Sequence, residues 1–185
     1  MEIMKAQFFI LGAVLLCSLF FIGLPPGKPL TQLPLQDMDY ILQNLENEFP
    51  HALNLGLEDG NPRQTMEDFS SWVRGLTSNF LMNFSSFWVF AEGDPATGNV
   101  VVSLGNYMGT DMTVNVNLDG DQRNVFVQDG DSQSTTFSSV GSGYGLSVQF
   151  GSEARSFTWQ RDKVNLFVMI ELERGENIAR RNVLA

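Results

Sequence analysis

The densest oxygen clusters in this sequence are Asp119-Gly120-Asp121 and Asp129-Gly130-Asp131. Carboxylates gathered in loops hold calcium, which takes about six to eight oxygen ligands. Neither loop has the alternating acidic pattern and distal glutamate of a calcium loop, and Asp-Gly is itself a hairpin-turn signal. If the two loops bracket a strand at 124–128, they stand roughly 20 Å apart and cannot share an ion. No metal site is assigned. His51 is the single histidine and Cys17 the single cysteine, the latter inside an apolar run. Histidine–cysteine metal sites and histidine-dependent triads are therefore unavailable. An acid–base carboxylate pair would have to come from Glu92, Asp94, Glu153, Asp162, Glu171 and Glu173, which strand ends and turns explain better. Val140-Gly-Ser-Gly-Tyr-Gly145 is glycine-rich but has no lysine and no following helix, so it is a loop and not a phosphate cradle. The expectation is a protein that is not an enzyme and has no cofactor.

Two further chemistries remain. Asn83-Phe84-Ser85 is an acceptor sequence for N-linked glycan at Asn83, usable only outside the cell. Trp88, Tyr107, Tyr144 and Trp159 would supply stacking surfaces for a carbohydrate or peptide if several lined one concavity. An anchored binding module is thus the alternative to a structural protein.

What positions these residues begins with a peg. Phe8 to Leu24 carries no charge and is ended by Pro25-Pro26-Gly27. As a helix, Ala6 to Leu24 rises about 28 Å, against a hydrocarbon core of about 30 Å. A retained anchor leaves the short tail with Lys5 inside and the bulk of the chain outside. A secretory signal would have a shorter apolar core and a small-x-small cleavage site, and Leu24-Pro25-Pro26 offers none. A lipid on Cys17 is disfavoured by Leu16 before it and Ser18-Leu19-Phe20-Phe21 after it.

Met1-Glu-Ile-Met-Lys-Ala6 followed by Gln7-Phe-Phe-Ile-Leu-Gly-Ala-Val-Leu-Leu16 resembles the leader and hydrophobic segment of archaeal type IV pilin-like proteins. The resemblance covers about the first 24 residues and implies cleavage between Ala6 and Gln7, with homo-oligomer or filament assembly through the apolar helix. Leu11 stands where many members carry an acidic residue, and Pro25-Pro26 interrupts what would be the helical spine. The segment Asn106–Gly120, which carries Asn106, Gly109 and Asp119-Gly120, resembles the second and third strands of extracellular immunoglobulin-like modules. That implies a spacer, adhesive or assembly module.

Beyond the peg, Pro25, Pro26, Pro29 and Pro34 make a semi-rigid stalk over 25–35. Met38, Ile41, Leu42, Leu45 and Phe49 lie on one helical face over 36–49, with Pro50 kinking or stopping the helix and a short continuation through Leu53 and Leu57. Asn61 as cap, Pro62 and Gln64 start a second helix, whose stripe Met66, Phe69, Val73, Leu76, Phe80 and Phe84 predicts helix to about 84. Eight strands follow, at Phe87–Ala91, Val100–Leu104, Met112–Leu118, Asn124–Gln128, Ser134–Ser138, Gly145–Phe150, Ser156–Gln160 and Val164–Leu172.

The expected fold is α+β: an N-terminal membrane helix, two amphipathic helices, then an antiparallel β-sandwich, immunoglobulin-like in architecture. Its parts are a cytoplasmic leader (1–6), a transmembrane or pilin-type helix (7–24), the stalk (25–35), a helical region (36–84) and the sandwich (85–185). The roughly 157 residues beyond position 28 suffice for one core, burying about two-thirds of their unfolded surface. Eleven basic against twenty-one acidic residues give a net charge of −10, which disfavours nucleic acid and anionic membrane surfaces as partners of the folded part. The expected localisation is the cell membrane, single-pass, with the bulk extracellular.

Overall fold

Helix α1 spans Leu35–Glu58 and buries Met38, Ile41, Leu42, Leu45 and Phe49, the predicted stripe, together with Ala52 and Leu53. The helix neither stops nor breaks at Pro50. The missing backbone bond costs about 3 kcal/mol, and the apolar face that continues beyond it in Ala52 and Leu53 offsets that cost. The computed structural model describes residues 35–185, so the leader, the apolar segment and the stalk expected before Leu35 lie outside the described residues.

Helix α2 spans Pro62–Ser78, with Pro62 in the first turn as expected. Asn61 does not cap through its side chain; its Nδ2 donates backwards to the Asp59 carbonyl at 3.1 Å. The two helices meet closely at Gly56, where a Cβ would stand 2.6 Å from Pro62 Cα. Phe49 meets Phe69 edge-on, with ring centroids 4.9 Å apart. The second helix ends six residues short of Phe84. Thr77 and Ser78 donate their hydroxyls back to the carbonyls of Val73 and Gly75. The chain then reverses through Leu81 at φ 56°, and the Met82 N–H closes on the Thr77 carbonyl. Phe84 therefore belongs to a strand.

Nine strands follow: β1 Asn83–Asp94, β2 Asn99–Tyr107, β3 Met112–Leu118, β4 Asp121–Val127, β5 Asp131–Phe137, β6 Gly143–Phe150, β7 Glu153–Gln160, β8 Asn165–Arg174 and β9 Asn177–Leu184. Eight match predicted strands, and β9 was not predicted. The strands form two antiparallel sheets, ordered β5-β2-β1-β8-β9 and β4-β3-β6-β7. Residues from both sheets share one apolar core, including Phe87, Val102, Val116, Val148 and Met169. At its centre Phe87 stacks on Phe150, with ring centroids 3.9 Å apart.

The other face of the five-stranded sheet is covered by the helices, α1 lying against β8 and β9 and α2 against β1, β2 and β5. This explains why β1 and β8 read as unbroken apolar runs while β3 alternates: the first two are buried on both faces and the third on one. The result is three layers: helices, a doubly covered sheet, and an outer sheet with one wet side.

Candidate functional site

The most elaborate polar constellation among the described residues holds α2 to the five-stranded sheet. Trp88, fully buried on the helix-facing side of β1, donates its indole N–H to Ser70 Oγ at 3.1 Å. Ser70 in turn donates to the Met66 carbonyl at 2.8 Å. Gly105, opposite Trp88 in β2, leaves room for the indole, since a Cβ there would overlap the ring. Tyr107, in the same strand, donates its hydroxyl to the Glu67 carbonyl at 3.0 Å, and Ser132 of β5 donates to the Glu67 carboxylate.

Arg74 completes the seam. Its guanidinium makes a forked pair with Asp129 at 3.0 and 2.8 Å and lies over the Tyr107 ring, 5.2 Å from the centroid. Those bonds hold the Asp129 carboxyl below its usual range, helped by the Gly109 N–H and opposed by burial. Burial pushes the Tyr107 hydroxyl up to about 12. A neutral buried phenol and a charge-paired carboxylate are poor bases at neutral pH, so this constellation fastens layers together.

The sequence-predicted residues do not converge. Asp119 and Gly120 form the two-residue turn between β3 and β4, at φ 49° and 97°, as hairpin chemistry requires. Asp129-Gly130 instead carries the chain from β4 in one sheet to β5 in the other. The two loops thus lie at opposite ends of β4, and Asp119 accepts the Gly145 N–H while Asp129 is taken by Arg74. No three histidine, cysteine or acidic side chains among the described residues gather as metal ligands. His51 is exposed on α1.

Of the six carboxylates, Glu153 and Glu171 approach one cation, Arg180 of β9, at 3.4 and 2.6 Å. Asp94 is held low, first by the Thr97 hydroxyl and then by the Ala96 N–H, while partial burial raises Glu92. Trp88, Tyr107, Tyr144 and Trp159 are each 5% exposed or less, so none presents a stacking face to a ligand.

Asn83 opens β1 on the surface, with its amide nitrogen 3.4 Å from Glu173 Oε2, and Ser85 is half-buried. Ala6 and Gln7, the residues of the predicted cut, lie outside the described residues. Among the described residues no helix is long and apolar enough to cross a membrane. The expected membrane segment, 7–24, lies outside the described residues.

One surface was not singled out by sequence reasoning. On the four-stranded sheet every outward side chain is uncharged, and only the register of all four strands brings these residues together. No protein-family model matches the chain, and no curated protein is similar to it.

Proposed function

We propose that this chain is a membrane-anchored structural protein displayed outside the cell, with its amino-terminal segment processed as in archaeal type IV pilin-like proteins. The observation that carries this reading is the uncharged run Phe8–Leu24 behind Lys5-Ala6-Gln7. Such a run is satisfied only in lipid or against sister helices. The proline-rich stretch 25–35 separates it from the folded block.

The folded block is read as an immunoglobulin-like module. Its first seven strands place β1, β2 and β5 in one sheet and β7, β6, β3 and β4 in the other. That order parallels strands A, B and E facing G, F and C, with the fourth strand added on the C side. Strands β8 and β9 widen the first sheet beyond β1. The module has no disulfide, because Cys17 is the sole cysteine, and the second apolar interface under the helices supplies stability in its place. Its role is mechanical: a rigid block held beyond the membrane, with Asn83 available to a glycan.

Mass spectrometry of the mature protein tests the reading. A terminus at Gln7 is expected. A terminus at Met1 or Glu2 argues against pilin-type processing and leaves a simple anchor.

A further inference from the structure

We infer that the outer face of the four-stranded sheet is a self-association surface, through which one copy of this chain packs face to face on another. The inference rests on the structural reading above and names the surface through which copies meet. The face is built from the outward positions of β4, β3, β6 and β7, among them Asn124, Asn115, Asn117, Gln149 and Ser156. In a chain of net charge −10, none of these outward positions is acidic or basic.

The charged residues of these four strands are Asp121 and Arg123 in β4 and Glu153 and Arg155 in β7. All have the opposite strand parity, pointing to the inner side of the two edge strands. There Arg123 lies over the Phe137 ring and reaches Thr135 of β5, and Glu153 pairs with Arg155 and Arg180.

This distribution separates two routes of association. Inward-pointing charges on edge strands block edge-to-edge pairing, so the edges are guarded. The outward face carries no charge of its own to set against the same face of a copy.

The chemistry of the face is its own complement. A two-fold interface needs a patch that fits itself, and side-chain amides and hydroxyls each carry both a donor and an acceptor. Asn115 and Asn124 already show this across strands, Nδ2 donating to Oδ1 at 2.9 Å. Phe126 adds an apolar contact, 56% exposed on the same face.

A free sugar ring would instead want a concavity and stacked aromatics, and the tryptophans and tyrosines of this sandwich are buried. Four strands of about seven residues make a face of roughly 19 by 23 Å. With side-chain relief this approaches the low end of the area each partner buries in a specific complex. Such a contact is weak between free molecules and effective between copies held on one surface.

The test uses the full chain in its membrane. Cys17→Ser removes the native thiol, and Gln149→Cys places one on the central strand β6. A short bis-maleimide should trap Gln149→Cys as a dimer, whereas Asn47→Cys, exposed on α1, should stay monomeric. Asn124→Asp with Ser156→Asp sets like charges against each other across the two copies. The trapped dimer should then fall by more than about tenfold, with unchanged tryptophan fluorescence showing that the fold is intact.

Equal trapping at Asn47, no trapping at Gln149, or trapping indifferent to the aspartates would each overturn the inference. So would absence of trapping combined with retention on insoluble polysaccharide that the aspartates abolish, which would assign the face to a glycan. Membrane fractionation of the same sample keeps the two readings apart. An anchored chain that does not trap sinks this inference alone, and a trapped chain found unanchored sinks only the anchor.

Discussion

Arg74 and Asp129 are the residues on which the seam between α2 and the sheet turns. The pair is only partly shielded, with side chains 32% and 27% exposed, so its value comes from forked geometry more than from desolvation. Arg74→Met should cost about 1 kcal/mol at neutral pH, read from urea unfolding of the detergent-solubilised chain. Asp129 has its folded-state value lowered, chiefly by the Arg74 bonds. Its contribution is therefore complete above the unfolded-state aspartate value of about 3.9 and is lost as pH falls through the lower folded-state value. The gap between Arg74→Met and the parent should close as pH falls from about 5 toward about 2. A gap that stays constant with pH would show that Arg74 acts by packing on Tyr107 alone.

At the scale of elements, the helix layer sits where it does because Gly105 lets Trp88 lie flat on β2 and meet Ser70. Gly105→Ala drives the indole up into α2, and the overpacking should cost about 3 kcal/mol. Trp88→Leu in the same chain should recover part of that loss, giving a coupling that separate effects on folding would not produce.

This dependence explains what was legible in the sequence. The stripe of α1 was readable because one face of a helix meets one surface, and Met112–Leu118 because that strand alternates between core and water. The continuation of α1 past Pro50 was underweighted because propensity registers the lost hydrogen bond but not the tertiary burial beyond it. Phe84 kept helical spacing by accident and lies on β1, since backward hydrogen bonds from Thr77 and Ser78 end the helix. Strand β9, Asn-Ile-Ala-Arg-Arg-Asn-Val-Leu, gave no alternation, because an edge strand buries little: Val183 alone is fully covered, while Arg180 pairs with Glu171 and Arg181 lies near Glu46 of α1. The polar positions Thr113, Asn115 and Asn117 of β3 alternate with apolar ones in the sequence, but the lack of charge over the whole face emerges only when four strands are in register.

For the whole molecule, the division of charge follows the layers. The four-stranded sheet keeps Asp121, Arg123, Glu153 and Arg155 on the inner side of its edge strands, while its outward face carries no charge. On the proposed reading, attachment to the membrane would fall to the uncharged run Phe8–Leu24. The central claim is that this run holds the block beyond the membrane. It is tested most directly by labelling Asn47→Cys, in the Cys17→Ser chain, with a membrane-impermeant maleimide on whole cells. The account predicts the same labelling in intact as in lysed cells, and labelling that appears only after lysis would contradict it.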